Sequence, residues 1–192
     1  MLVIVRAKWG AMPAVTPSPS HGQDKRLQKL ARNIDALAEK DRTVVERTRE
    51  IRSLRQRAAL ELYSVCASFV AALNELLAHT ALELDPDEMQ PENLPENAVH
   101  LVQINARGRI VQIKFEATAE LVSKEDFRVP YTLHGSIRCF NQQLLEQDLI
   151  EEQMLFYTIE KSRTQWRFFD PRTYRSGEFD VDYLISLMEQ LV

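Results

Sequence analysis

The feature that most constrains the fold is a long stretch, residues 24–82, that contains neither glycine nor proline. Apolar residues recur through this stretch at alternating steps of three and four. Of the 15 positions on this ladder, 12 are apolar, and the exceptions are Asp41, Thr48 and Arg55. Such a repeat is typical of a helix that buries an apolar stripe against another helix. The sequence therefore predicts a coiled-coil helix over residues 24–82.

The length of this helix indicates that it needs a partner. At ~1.5 Å per residue it would be about 88 Å long, whereas a globule of this chain length is roughly 40 Å across. Because nothing marks a break, we expect a projecting stalk. A second copy of the chain is the expected partner, since twofold dimers are the commonest assemblies. The predicted seam of this parallel homodimer consists of Leu27, Leu30, Ile34, Leu37, Val44, Ile51, Ala58, Leu62, Val65, Phe69 and Leu76.

The two halves of the predicted helix differ in composition. From Ala58 onward, apolar residues extend well beyond the seam, so this half is expected to pack both on the partner and on the domain that follows. Residues 24–57 carry only a narrow stripe and are expected to form the exposed end of the stalk. The polar gap in the stripe predicts either local splaying or a stretch meant for a different partner.

The remainder of the chain predicts a small head domain. Prolines and polar residues indicate a disordered leader over residues 1–23 and an acidic linker over residues 83–97, which leaves 98–192 as the head. Short alternating segments predict five strands there, namely Val99–Ala106, Arg109–Ala117, Tyr131–Cys139, Met154–Ile159 and Gln165–Phe169. Arg107-Gly108 predicts a hairpin turn. The predicted fold is α+β: a long N-terminal coiled-coil helix followed by a small antiparallel five-stranded sheet with covering helices, Gln142–Ile150 and Val181–Leu191.

The usual signatures of an enzyme are absent from the sequence. The five glycines are too scattered for a phosphate-binding loop, and the four histidines have no paired spacing. One alternative is a small-ligand or enzymatic site around His134, with Ser136 and Arg138 on the same strand face and Cys66 or Cys139 as the nucleophile. Both cysteines lie on predicted apolar faces, where a thiol stays protonated. We therefore expect no catalytic residues, no cofactor and no metal site.

Charge is distributed unevenly along the chain. Residues 24–57 carry 11 Lys or Arg against 6 Asp or Glu, which is +5, whereas residues 58–192 carry 11 against 22, which is −11. A basic helix pair could bind nucleic acid or an acidic protein surface. The alternative is a solvated flank, partly paired with Glu46 and Glu50. The candidate contact residues here are Arg42, Arg47, Arg49, Arg52 and Arg57.

A second basic cluster lies in the predicted head, interleaved with aromatic residues. Its members are Lys161, Arg163, Arg167, Arg172 and Arg175. Basic and aromatic side chains together can bind single-stranded nucleic acid. However, Trp166 and Phe168 alternate with Arg167 as strand residues do, which favours buried aromatics and surface arginines.

Taken together, these patterns predict a non-enzymatic, homodimeric adaptor that binds another protein. In element order the chain resembles dimeric secretion chaperones of the acidic type, and in its long helix and small head it resembles RWD-type scaffold subunits of chromosome-segregation complexes. Both resemblances are in the order of helices and strands alone and carry no function. The alternatives are a nucleic-acid-associated dimer and the His134 site. A cytosolic location is expected, because no apolar run approaches ~20 residues and Arg6 and Lys8 follow the short run at the start.

Overall fold

A computed structural model of the chain describes residues 21–90, 94–95, 98–122, 129–147, 150–160 and 163–192. It contains two compact units, residues 1–47 and 48–192. The described part of the first unit is helical throughout. Most of the predicted leader lies outside the described residues, and the helix begins at His21, before the predicted start at Asp24.

The secondary structure is α+β, as predicted. It consists, in chain order, of α1 (His21–Leu76), β1 (Glu83–Asp85), β2 (His100–Ala106), β3 (Arg109–Val122), β4 (Tyr131–Phe140), α2 (Gln142–Glu146), β5 (Glu151–Glu160), β6 (Arg163–Asp170), β7 (Arg175–Glu178) and α3 (Val181–Glu189). The strands form a single seven-stranded sheet in which each pairs antiparallel with its neighbours in sequence.

The prediction of five strands is wrong, because the described residues hold seven. The five predicted segments are confirmed as β2 to β6, and the two missed strands, β1 and β7, lie at the edges of the sheet. β1 occupies Glu83–Asp85, the beginning of the predicted acidic linker. Strands of three or four residues are too short to show alternation, and they form here because β2 and β6 offer unpaired edges. The observed order of helices and strands therefore differs from the predicted order on which the two resemblances rest.

The turn between β2 and β3 confirms the predicted hairpin. Ala106 pairs with Arg109, and the two residues between them have φ of 54° at Arg107 and 86° at Gly108. Positive φ at both positions is characteristic of a type I′ turn. The Asn105 side chain accepts a hydrogen bond from the Gly108 amide at 2.8 Å and so fixes the turn.

One face of the sheet packs on α1 and α3 and forms the main core. Ala58, Leu62 and Phe69 of α1 are buried in this core together with Leu184 and Leu187 of α3. The buried strand residues alternate along β2 and β3, as expected for strands with one covered face. The indole of Trp166 donates a hydrogen bond of 2.7 Å to the Ala58 carbonyl and ties β6 to the helix.

Within the second unit, the stripe of α1 that packs on the sheet departs from the heptad ladder. After Leu62, the buried positions are Cys66, Phe69 and Val70, and Leu73 and Leu77 are half-buried. Leu76, a ladder position, is 82% exposed. A straight helix has ~3.6 residues per turn, so its contact stripe drifts by about 20° per heptad from a 3.5-residue repeat. The residues that the lower half of α1 buries are therefore set by contact with the sheet and do not keep to the heptad positions.

Arg55, one of the three polar positions of the ladder, also faces the sheet. Its guanidinium donates hydrogen bonds to the Thr118 carbonyl at 2.5 Å and to the Thr132 hydroxyl at 3.0 Å. Both threonines are buried, and the Thr118 hydroxyl donates to the Thr132 carbonyl. The guanidinium of Arg55 thus satisfies two oxygen atoms at the place where the pairing of β3 with β4 becomes irregular, beyond Ala117.

We expect Arg55→Ala to lower the free energy of unfolding by about 2 to 3 kcal/mol, because it leaves a buried carbonyl without its charged donor. Arg49→Ala is the matched control, since Arg49 is exposed, and its effect should stay within ~0.5 kcal/mol. Urea denaturation followed by circular dichroism measures both. Equal effects of the two substitutions would show that the contacts of Arg55 contribute nothing.

By length and composition alone, α1 could cross a membrane, since one 18-residue window within Gly22–Leu76 has a mean hydropathy of 1.3. This is a weak indication, because the core helix of a soluble protein passes the same test. The apolar residues of its lower half, among them Leu62 and Cys66, pack on the sheet. The cytosolic location stays a prediction.

Candidate interaction surfaces

The first candidate surface is an apolar stripe on the upper part of α1, which we call the exposed stripe. It consists of Leu27, Leu30, Ile34, Leu37 and Val44. These five side chains are between 54% and 60% exposed. A lone helix gains nothing from such a stripe in water, so an exposed row of large aliphatic residues at helical spacing indicates an interaction site.

The remaining residues of the predicted seam lie in the second unit, in a different environment. Ala58, Leu62 and Phe69 are buried by the chain's own sheet. Ile51 and Val65 are half-buried. The buried members of the seam are therefore covered by the chain itself, whereas the exposed stripe and Leu76 stay accessible to another helix.

The basic residues predicted on α1 are spread over several faces of the helix. Arg42 pairs with Glu39 at 2.7 Å, one turn earlier. Arg47, Arg49 and Arg57 are exposed. By helical spacing, Arg42, Arg49 and Arg52 share one side of α1 and Arg47 and Arg57 lie on another, so the five do not form one continuous patch.

The second predicted basic cluster is largely neutralised by carboxylates. Lys161 lies outside the described residues, and Arg175 is exposed. The other three members form ion pairs on the sheet, Arg163 with Glu178 at 3.0 Å, Arg167 with Glu160 at 3.3 Å, and Arg172 with both Glu151 and Asp170. Hydrogen bonds from Arg172 lower the pKa of Glu151 below its usual range. Pairing of this kind leaves little positive charge for a polyanion.

The aromatic residues of the same region divide between the two faces of the sheet. Trp166 belongs to the main core, and Phe168 stacks on Tyr183 of α3 with ring centroids 3.8 Å apart. Phe169 lies in a second, smaller cluster with Tyr131. Trp166 is buried as the alternation predicts, whereas Phe168 and Arg167 are both half-buried.

His134 lies on the face of the sheet away from α1. Its Nε2 is 3.3 Å from the Glu116 carboxylate on the neighbouring strand, and both side chains are partly exposed. Its buried Nδ1 has no hydrogen-bond partner among the described residues. His134 lines neither of the two cavities described below.

The two cysteines are poor nucleophiles. Burial raises the pKa of the Cys66 thiol to about 12, and burial together with the Glu151 charge raises that of Cys139 to about 12. Cys66 belongs to the main core, on the opposite face of the sheet from His134. The structure therefore does not bring together the cysteine and histidine of the enzymatic alternative.

Both thiols are expected to resist alkylation in the folded protein. A thiol with a pKa near 12 holds far less thiolate at pH 8 than an ordinary cysteine, so its reaction with iodoacetamide should be more than about 100-fold slower in the native chain than in urea. Mass spectrometry over time measures the two rates. Rapid labelling of either cysteine under native conditions would contradict this expectation and make that cysteine a candidate nucleophile.

The second candidate surface is an apolar cavity of about 420 Å³ in the unit of residues 48–192. It lies between the end of α1, the β2–β3 hairpin and α3, and its lining includes Leu73, Leu77, Ala106, Ile185 and Met188. Arg107, Arg109 and Glu189 are its charged members. Its size suits one or two apolar side chains of a partner or a small ligand. Sequence analysis missed it, because its walls come from three distant segments.

A more polar cavity of about 580 Å³ lies beside α2. It is lined by residues of β4, β5 and α3, among them Cys139 and Glu151, and by Arg172 from the turn between β6 and β7. Glu151 and Arg172 pair with each other at its edge. These two charges of the lining therefore already compensate one another.

Comparison with known proteins identifies no relative: no family model matches the chain, and neither the curated proteins nor the solved structures contain a significant match. Within the described residues, no group of three or more His, Cys, Asp or Glu side chains could hold a metal ion. The candidate surfaces thus rest on their own geometry, and the exposed stripe is the most distinctive of them.

Proposed function

We propose that this protein is a non-enzymatic interaction protein whose helix α1 pairs with a second helix to form a coiled coil, while residues 48–192 form a head that binds another protein. The observation that carries the proposal is the exposed stripe, in which Leu27 to Val44 keep heptad spacing and remain more than half exposed. A protein would not keep so much aliphatic surface in water without a partner to cover it.

Two further observations support a binding role. The two thiols have raised pKa values and lie away from His134, so the enzymatic alternative lacks its nucleophile. The head unit carries the apolar cavity, with Leu76 and Ile185 exposed nearby. This cavity gives the head a place for an apolar side chain of a bound protein.

The second helix could come from a copy of this chain or from a different chain. A parallel homodimer, as expected from the sequence, is the simpler assembly, because both copies would bury the same stripe. Light scattering distinguishes the two cases by the mass of the purified chain.

Pairing through the exposed stripe is tested by Leu30→Asp/Leu37→Asp in the full chain. The probe is a synthetic heptad helix with leucine core positions and glutamine at the flanking positions. We expect the wild-type chain to associate with itself or with this probe at micromolar concentration. The double variant should weaken that association more than about 100-fold, since it buries two unpaired carboxylates.

Gln28→Asp/Ala36→Asp is the matched control, because both residues are exposed on the side of α1 away from the stripe. It should associate as the wild type does. Both variants should keep the unfolding transition of residues 48–192. A wild-type chain that stays monomeric and ignores the probe would overturn the proposed function.

A further inference from the structure

The positions that flank the exposed stripe differ sharply from each other. On one side, immediately before the first core position of each heptad, lie Arg26, Asn33, Lys40 and Arg47. On the other side, immediately after the second core position, lie Ala31, Ala38 and Val45. We call these rows the basic flank and the apolar flank. In a coiled coil, such flanking positions meet the flanks of the partner helix and select it by charge.

The cations of the basic flank are uncompensated. Arg26, Lys40 and Arg47 are exposed and form no ion pair with any residue that the structure describes. Apart from Asp41 within the stripe, the nearby acids lie on the outward side of the helix, where Glu39 already pairs with Arg42. Apart from Asp24 in the first turn, neither flank of residues 24–47 carries a carboxylate. The stripe is therefore bordered by unpaired positive charge.

Two copies of this helix would pair poorly in parallel. In a parallel pair, each residue of the basic flank lies opposite the residue five positions later on the other copy, which belongs to the other flank. Arg47 of one copy would therefore lie opposite Arg52 of the other. Asp41, a core position, would meet Asp41 of the other copy, so two carboxylates would share one buried layer. No pair of opposite charges forms in compensation.

Two copies of this helix would also pair poorly in the antiparallel orientation. In that orientation like flanks face each other, so Arg26, Lys40 and Arg47 would oppose other members of the basic flank. Asp41 would then lie among leucines of the other copy. Like charges at close spacing and a buried carboxylate both destabilise the pair.

We propose that the helix covering the exposed stripe belongs to a different chain, one that carries Glu or Asp at the flanking positions opposite Arg26, Lys40 and Arg47. Opposite Asp41 this partner carries a lysine, an arginine or an asparagine. Against the apolar flank it presents apolar or small residues, since Ala31 and Ala38 allow two helices to approach closely. The inference rests on the proposed function, because it names the partner of the same stripe.

A protein partner fits this surface better than a nucleic acid does. Phosphate backbones are bound by cations without a need for aliphatic surface, whereas here the cations border a row of exposed Leu, Ile and Val. An acidic heptad helix satisfies both the apolar row and the charges beside it.

The experiment compares two synthetic heptad helices that share one leucine core and differ only at the flanking positions. One probe carries Glu there and the other carries Lys. Fluorescence anisotropy measures the binding of each to the full chain at physiological ionic strength. We expect the Glu probe to bind at least about 10-fold more tightly, because three attractive pairs replace three repulsive ones. Light scattering should show the chain alone to be monomeric at micromolar concentration.

Charge reversal assigns the preference to the basic flank. Arg26→Glu/Lys40→Glu/Arg47→Glu should reverse it, so that the Lys probe binds more tightly. Lys25→Glu/Lys29→Glu/Arg32→Glu changes the net charge equally on the outward side and should leave the preference for the Glu probe in place. Raising the salt concentration should narrow the difference between the two probes.

The remaining outcomes overturn the inference in distinguishable ways. A stable homodimer at micromolar concentration, or equal binding of the Glu and Lys probes, leaves helix pairing intact and removes the acidic partner. Duplex DNA that binds more tightly than the Glu probe, and is lost in the Arg26→Glu/Lys40→Glu/Arg47→Glu variant, replaces the protein partner with a polyanion. A monomer that binds neither charged probe nor the glutamine probe overturns the proposed function itself.

Discussion

Leu62→Asp is expected to abolish cooperative folding of residues 48–192. Leu62 is 0% exposed and belongs to the main core between α1 and the sheet. A carboxylate there would be buried without a partner and would leave the volume of the leucine unfilled. The combined cost exceeds about 4 kcal/mol, which is comparable with the whole stability of an ordinary domain.

Far-ultraviolet circular dichroism during urea denaturation measures this effect in the full chain. Leu30→Asp is the control, since Leu30 carries the same side chain on the exposed stripe. It should leave the unfolding of residues 48–192 unchanged and should weaken only the binding of a partner helix. A cooperative transition of Leu62→Asp at the wild-type midpoint would contradict the packing described for α1.

Gly135→Ala is expected to destabilise the sheet by about 3 kcal/mol or more. Gly135 pairs with Phe115 of β3 and Leu155 of β5 in the middle of the sheet. A Cβ atom at this position would lie 2.0 Å from the Lys114 carbonyl oxygen and 2.8 Å from the Phe115 Cα. Both neighbours are backbone atoms of a paired strand, so neither can move without breaking the ladder.

The shift in the urea midpoint measures this loss, and Gly22→Ala is its control. Nothing lies within 4 Å of a Cβ atom at Gly22, which is helical in α1. Alanine should therefore be neutral or slightly stabilising there. Unfolding of Gly135→Ala at the wild-type urea midpoint would contradict the close approach of β3 to β4 described here.

The predictable part of the fold came from patterns that are local in sequence. The heptad spacing and the lack of Gly and Pro are sufficient for α1, whose observed range is His21–Leu76. Alternation likewise located β2 to β6, and Arg107-Gly108 located the hairpin. These features depend on backbone preferences and on side-chain periodicity, both of which act over a few residues.

The charge pattern around the exposed stripe is equally a property of the sequence. Once the helical phase is known, the places of Arg26, Lys40 and Arg47 on one flank follow from residue spacing. The exposure of each side chain in the folded protein was needed to show which part of the apolar ladder stays accessible to a partner helix. Without it, Leu62 and Leu30 look alike, although one lies in the core and the other on the surface.

What the sequence by itself determined is thus the helix, the five longer strands and the α+β class, because hydrophobic periodicity encodes them directly. Only the tertiary structure decided that Arg55 faces the sheet, that Glu83–Asp85 and Arg175–Glu178 become edge strands, and that three separate segments enclose an apolar cavity. Each of these depends on contacts between residues far apart in the chain. Such contacts are selected by the packing of whole elements, which a local pattern does not record.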